Sequence, residues 1–84
     1  MNSKQQKILT KVLTRPVLSN IKFIDVDKML VAMGYEKEQR EGSRVAYGIS
    51  TEEFVMHKPH PGDEIKKYVI VKLQKFIQAT KEHL

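Results

Sequence analysis

Apolar residues recur at helical spacing toward both ends of the chain and at alternate positions in its middle. Ile8, Leu9, Val12 and Leu13 form one stripe, which predicts a first helix over roughly residues 4–14 with Ser3 as its cap. Pro16 stops it, because the residue before a proline is pushed out of the helical region. Ser19-Asn20 reads as a turn, and Ile21, Phe23 and Ile24 as a short apolar link. Val26, Met29, Leu30 and Met33 then repeat at i, i+3, i+4, i+7, predicting a second helix capped by Asp25 and ended by Gly34 in a left-handed conformation.

From Tyr35 the period shortens. Tyr35–Arg40 reads as a charged edge strand closed by the turn Glu41-Gly42. In Arg44–Ile49, Val45, Tyr47 and Ile49 share one face and Arg44 and Ala46 the other. Ser50-Thr51 reverses the chain, and Glu53–His57 makes a third strand, closed by Pro59, which has no N–H for a ladder. Three short strands joined by tight turns imply an antiparallel meander.

A last helix is expected from Asp63 or Glu64 to Lys81, with early acids and a late cation matching the helix dipole. Ile65, Val69, Leu73, Phe76 and Ile77 form its buried stripe, and Val71 faces the other way among Lys67, Gln74 and Gln78. The class is α+β, in the order α-α-β-β-β-α: a three-stranded antiparallel sheet with two helices on its inner face. Residues 1–84 form a single domain, 1–20 a helical extension and 21–84 the core.

Composition narrows the functional classes. Without cysteine there are no disulfides and no thiolate metal sites. No apolar run approaches the roughly 18 residues of a membrane span and no signal-peptide pattern is present, so no membrane partner and a cytoplasmic location are expected. The net charge of +5 is clustered: residues 1–24 carry +5, residues 25–56 carry −3 and residues 57–84 carry +3. Basicity clustered in this way suggests a polyanionic partner.

The candidate chemistry lies in His57-Lys58-Pro59-His60-Pro61-Gly62, which runs toward Lys66-Lys67, and in Gly42-Ser43-Arg44. Imidazole exchanges protons near neutral pH, and arginine and lysine attract phosphate. Arg44 opens the strand that runs antiparallel to the one His57 ends. The two are therefore expected side by side at a sheet edge, with Lys58, Lys66 and Lys67 nearby as phosphate contacts. Gly42 and Gly62 suit tight turns, and Ser43 is expected to serve the turn rather than act as a nucleophile. Each site residue also has a structural reading. His57 and His60 fit packed or solvated loop positions, Arg44 fits a surface partner of Glu53 or Glu41, and Lys66 and Lys67 fit a solvated face. Grouping His57 and His60 with Asp63 and Glu64 as metal ligands fails the i, i+4 helical spacing, so no metal is expected.

Val26–Ile77 resembles the HicA toxin family of bacterial toxin–antitoxin modules. The features that carry this are the helix Met29-Leu30 to Gly34, the strand opening Gly42-Ser43-Arg44, and His60 followed by Glu64-Ile65-Lys66-Lys67. The basic first helix with Ser19–Lys22, Gly42–Val45 as Gly-Ser-Arg-Val and His57–Pro61 as His-x-Pro-His-Pro resemble a longer branch of that family. The resemblance implies a double-stranded-RNA-binding-like fold and an endoribonuclease (an mRNA interferase) that needs no cofactor. It also implies mRNA as target and a HicB-type antitoxin as protein partner. The family's Gly-Ser-His histidine is Arg44 here, and arginine cannot act as a base at neutral pH. Either the chemistry rests on His60 and His57, with Arg44, Lys58, Lys66 and Lys67 holding phosphate, or the chain binds RNA or antitoxin without cutting. A pure protein-interaction domain, using Val71 and the acidic first hairpin, is a third reading.

Overall fold

The computed structural model describes residues 1–84, and none of its helices is long and apolar enough to cross a membrane. Helix α1 (Ser3–Leu13) and helix α2 (Phe23–Met33) precede strands β1 (Glu36–Gln39), β2 (Arg44–Ile49) and β3 (Glu52–His57), and helix α3 (Lys67–Thr80) ends in a short 3-10 turn, Lys81–His83. This is the expected α+β order, α-β-β-β-α with an extra N-terminal helix. The sheet is antiparallel in the order β1-β2-β3, so both outer strands have a free edge.

The helix starts differ from expectation. Asn2, not Ser3, caps α1, in a reciprocal pair: the Gln5 N–H donates to Asn2 Oδ1 and the Asn2 N–H to Gln5 Oε1, each at 3.0 Å. Helix α2 begins two residues before Asp25, which lies in its first turn, where a carboxylate still meets the positive end of the dipole. Gly34 closes α2 as expected, its N–H donating to the Leu30 and Val31 carbonyls.

The largest correction concerns α3, which starts at Lys67 rather than at Asp63 or Glu64. The segment before it is extended and pairs with the link ahead of α2. The Phe23 N–H donates to the Asp63 carbonyl and the Ile65 N–H to the Ile21 carbonyl, both at 2.8 Å. Lys22 and Glu64 form the intervening antiparallel bridge. Ile65 is buried as expected, but as part of this clamp and not of a helical stripe. The stripe itself is Ile70, Leu73, Gln74, Ile77 and Thr80, with Val69 and Phe76 half-buried at its border. Val71 is half-buried as well, not exposed, and Gln74, three residues further along α3, bonds to the Val12 carbonyl of α1.

Strand register assigns the sheet faces. Val45 pairs with Met56 and Tyr47 with Phe54, and all four side chains enter one core with Val26, Met29 and Leu30 of α2 and Ile70, Leu73 and Ile77 of α3. Phe76 bridges the layers, its ring centroid 5.5 Å from Phe54 and 5.1 Å from Tyr35. Helix α1 delivers Ile8 and Val12 to the same core. Two polar contacts lock the assembly. Buried Gln74 donates Nε2 to the Val12 carbonyl at 2.7 Å and to the Thr14 carbonyl at 3.3 Å, satisfying C-terminal carbonyls of α1 that have no partner within the helix. Asp27 of α2 accepts from Tyr47 Oη at 2.6 Å and pairs with Lys37 Nζ at 3.1 Å.

Candidate nucleic-acid interface

Alternation along the strands places Arg44 and His57 on the face opposite the core, and the β2–β3 register makes them direct partners. Both are exposed. The Lys58 N–H donates to the Ser43 carbonyl at 2.8 Å, extending the pairing one step beyond the strands, and Ser43 Oγ lies 3.4 Å from His57 Nδ1. Ser43 thus serves the turn and approaches the imidazole. Gly42 has φ +67° and Gly62 φ +98°, left-handed backbone that a side chain would strain, and a Cβ would meet nothing at either position. Backbone conformation, not close packing, accounts for both glycines.

The two arginines of this hairpin have different surroundings. Arg40 forks onto Glu53, with Nη2–Oε2 at 2.6 Å and Nη1–Oε1 at 3.2 Å, and its Nε reaches Glu38 Oε1 at 2.7 Å. The hydrogen bonds it donates to Glu53 and then to Glu38 hold the guanidinium proton more tightly than usual, and the bond from Arg40 holds the Glu53 carboxyl below its ordinary range. Arg44 has no carboxylate partner. Its one side-chain hydrogen bond runs from Nε to the Glu41 carbonyl at 3.4 Å, so the expected alternative of a Glu53 partnership belongs to Arg40 instead.

Beyond His57 the chain crosses toward α3 and encloses a cleft of about 430 Å³ between β3 and that helix. His57, Lys58, His60 and Lys66 all line it, over an apolar floor of Phe54, Met56, Ile65 and Val69. Arg44 and Lys67 stand outside this lining, Arg44 beside His57 and Lys67 at the start of α3. The loop is held at both ends, by the Ser43–Lys58 bond on one side and by the clamp of Ile21–Phe23 with Asp63–Ile65 on the other. Lys22 adds a 3.9 Å contact to Asp63. His57, His60, Asp63 and Glu64 do not gather into a ligand group of three or more.

Two residues of the cleft went unnoticed in the sequence. Tyr68 and Lys72 form part of the wall supplied by α3, with Lys72 Nζ 5.6 Å from the Tyr68 ring centroid. The available signal was an aromatic and a lysine four apart on a helix, directly after Lys66-Lys67. A second cavity of about 410 Å³, lined by Leu13, Arg15, Gln74, Lys75, Gln78 and Ala79, contains neither histidine nor carboxylate.

His60, Lys58 and Lys66 line the cleft, and His57 stands at its edge, sharing the solvent face of the sheet with the unpaired guanidinium of Arg44, a set suited to a phosphate ester. Residues 24–79, two thirds of the chain, match the family model described as the HicA toxin of bacterial toxin-antitoxin. Comparison with curated proteins and with solved structures gave no match. The matched span runs from the start of α2 to the end of α3 and contains the whole cleft. The chain belongs to the HicA toxin family, and its role is that of the toxin in a bacterial toxin–antitoxin module.

Proposed function

We propose that this toxin is a metal-independent endoribonuclease that cleaves mRNA in the cleft between β3 and α3. The observation that carries the reading is the convergence of His57 and His60 with Lys58 and Lys66 in one cleft, with Arg44 paired to His57 across the strands. One imidazole takes the proton of an RNA 2′-hydroxyl, whose oxygen then bonds to the adjacent phosphorus. The P–O5′ bond breaks as the other, protonated imidazole gives its proton to the leaving oxygen. The products are a 2′,3′-cyclic phosphate and a 5′-hydroxyl end. Arg44, Lys58, Lys66 and Lys67 stabilise the charge that builds on the phosphate oxygens. A HicB-type antitoxin is the protein partner that the family assignment implies. The test is incubation of labelled RNA with the protein in excess chelator, alongside His57→Ala, His60→Ala and the double variant. Cleavage to cyclic phosphate ends that disappears in the double variant is expected. Intact RNA with the wild-type protein, or cleavage that survives loss of both rings, rules the mechanism out.

Arg44 itself favours a second reading, in which the chain binds RNA or antitoxin without cutting, because the position that resembles the family's histidine holds a residue that cannot accept a proton. Under that reading RNA is retained on a gel at full length, and Arg44→His creates cleavage. A variant that stays inert counts against it.

A further inference from the structure

Tyr68 is the one aromatic side chain of the molecule that lies open on the surface, 61% exposed, whereas the other tyrosines and phenylalanines sit in or against the core. Its place on the cleft wall sets it beside the rim that carries His57 and His60. Lys72 lies near the ring, Lys58 and Lys66 line the same cleft, and Glu64 is the one acid among the lining residues. An exposed aromatic set among cations is the arrangement by which single-stranded nucleic acid is held, the ring stacking a base while ammonium groups follow the phosphates. The cleft has an apolar floor, but the charged groups that line it with Tyr68 are three lysines against the single acid Glu64, a balance that favours a polyanion.

We propose that Tyr68 stacks an unpaired base of the RNA strand bound in the cleft, with Lys72 beside it as a phosphate contact. This makes Tyr68 a positioning residue that selects single-stranded substrate, since the faces of a base in a duplex are covered by its neighbours. The proposal rests on the ribonuclease reading and specifies how the strand sits for that reaction.

The experiment measures binding of a labelled 2′-O-methyl oligoribonucleotide, whose blocked 2′-oxygen cannot attack phosphorus, and of an oligomer with the same phosphates but no bases. Wild type, Tyr68→Phe and Tyr68→Ala are compared, with cleavage of unmodified RNA followed in parallel. Tyr68→Ala is expected to weaken binding of the base-containing strand about 5- to 150-fold. Tyr68→Phe should stay near wild type, and binding of the abasic oligomer should be the same for all three proteins. Equal affinity of Tyr68→Ala and wild type for the base-containing strand overturns the proposal, and so does an equal loss on both oligomers. Unchanged oligonucleotide binding with lost affinity for purified HicB-type antitoxin also overturns it, assigning Tyr68 to the protein interface. The two readings fail separately. Base-dependent binding through Tyr68 without any cleavage removes the ribonuclease and keeps the platform. Cleavage that Tyr68→Ala leaves untouched, with binding unaltered, removes the platform and keeps the ribonuclease. A wild-type protein that binds neither oligomer removes the platform, and the absence of cleavage as well removes both.

Discussion

Arg44 and His57 face each other across β2 and β3 on the solvent side of the sheet, and no carboxylate neutralises the arginine. A free guanidinium beside an exposed imidazole is placed for an external anion. Glu38 and Glu53 are occupied by Arg40, and the one side-chain hydrogen bond of Arg44 goes to the backbone carbonyl of Glu41, so no carboxylate competes with phosphate for it.

Replacing Arg44 by alanine should therefore weaken RNA binding with little change in stability, since the residue is exposed and has no carboxylate partner. Loss of one phosphate contact should reduce the slope of log affinity against log salt by about 1. A titration series at several salt concentrations checks this. An unchanged slope would remove Arg44 from the phosphate site.

His57→Ala and His60→Ala should each lower the cleavage rate by about 10²- to 10⁴-fold, the range for loss of a positioned proton-transfer group. Both rings are exposed, so thermal melting should scarcely move. Single-turnover cleavage set beside melting curves separates a chemical loss from a folding loss. A rate drop that tracks destabilisation would count against proton transfer.

The Tyr47–Asp27 hydrogen bond predicts an alkaline limit to stability. Burial first, and then the bond to Asp27, push the Tyr47 phenol well above its ordinary range. A group whose pKa is raised on folding stabilises fully below its unfolded value, about 10 for tyrosine, and that contribution fades as pH rises further. Tyr47→Phe should cost about 1–3 kcal/mol near neutral pH, because the buried Asp27 loses a donor, and should flatten the decline above pH 10. Denaturant midpoints from neutral to strongly alkaline pH provide the measurement. Equal alkaline decline in both proteins would contradict the assignment.

Glu53 sets an acid limit of opposite sign. Its carboxyl is lowered by the bond from Arg40, so its contribution is present above the ordinary glutamate range near 4.3 and is lost as pH falls through the lowered value. Glu53→Gln should make stability less sensitive to acidification below that range. The group is on the surface, so the effect should shrink in high salt. Acid titrations of the melting temperature at low and high salt are the check.

Gln74→Ala should destabilise by about 1–3 kcal/mol, since it strands the Val12 carbonyl inside the structure and opens space between α1 and α3. Chemical denaturation measures it. A change within about 0.5 kcal/mol, the scale of a surface substitution, would show that α1 is held by its apolar stripe alone.

Much of this molecule is legible in its residues. Helical spacing at Val26, Met29, Leu30 and Met33 and alternation at Val45, Tyr47 and Ile49 determine which faces are apolar, and Gly34 and Gly42 mark the ends of elements. With tight turns forcing an antiparallel order, those patterns suffice to bring Arg44 alongside His57, because strand register is a local consequence of turn length. Asp63 and Glu64 misled for a physical reason. Acids followed by an apolar period look like a helix start, yet their backbone groups were claimed by Ile21–Phe23, some forty residues away in sequence. The same kind of distant contact determines that Arg40 rather than Arg44 takes Glu53, that Gln74 ends α1, and that Tyr68 shares a cleft with His57 and His60. Periodicity reports which side of an element avoids water. Which elements meet, and which polar groups they satisfy there, depends on packing among segments far apart in the chain.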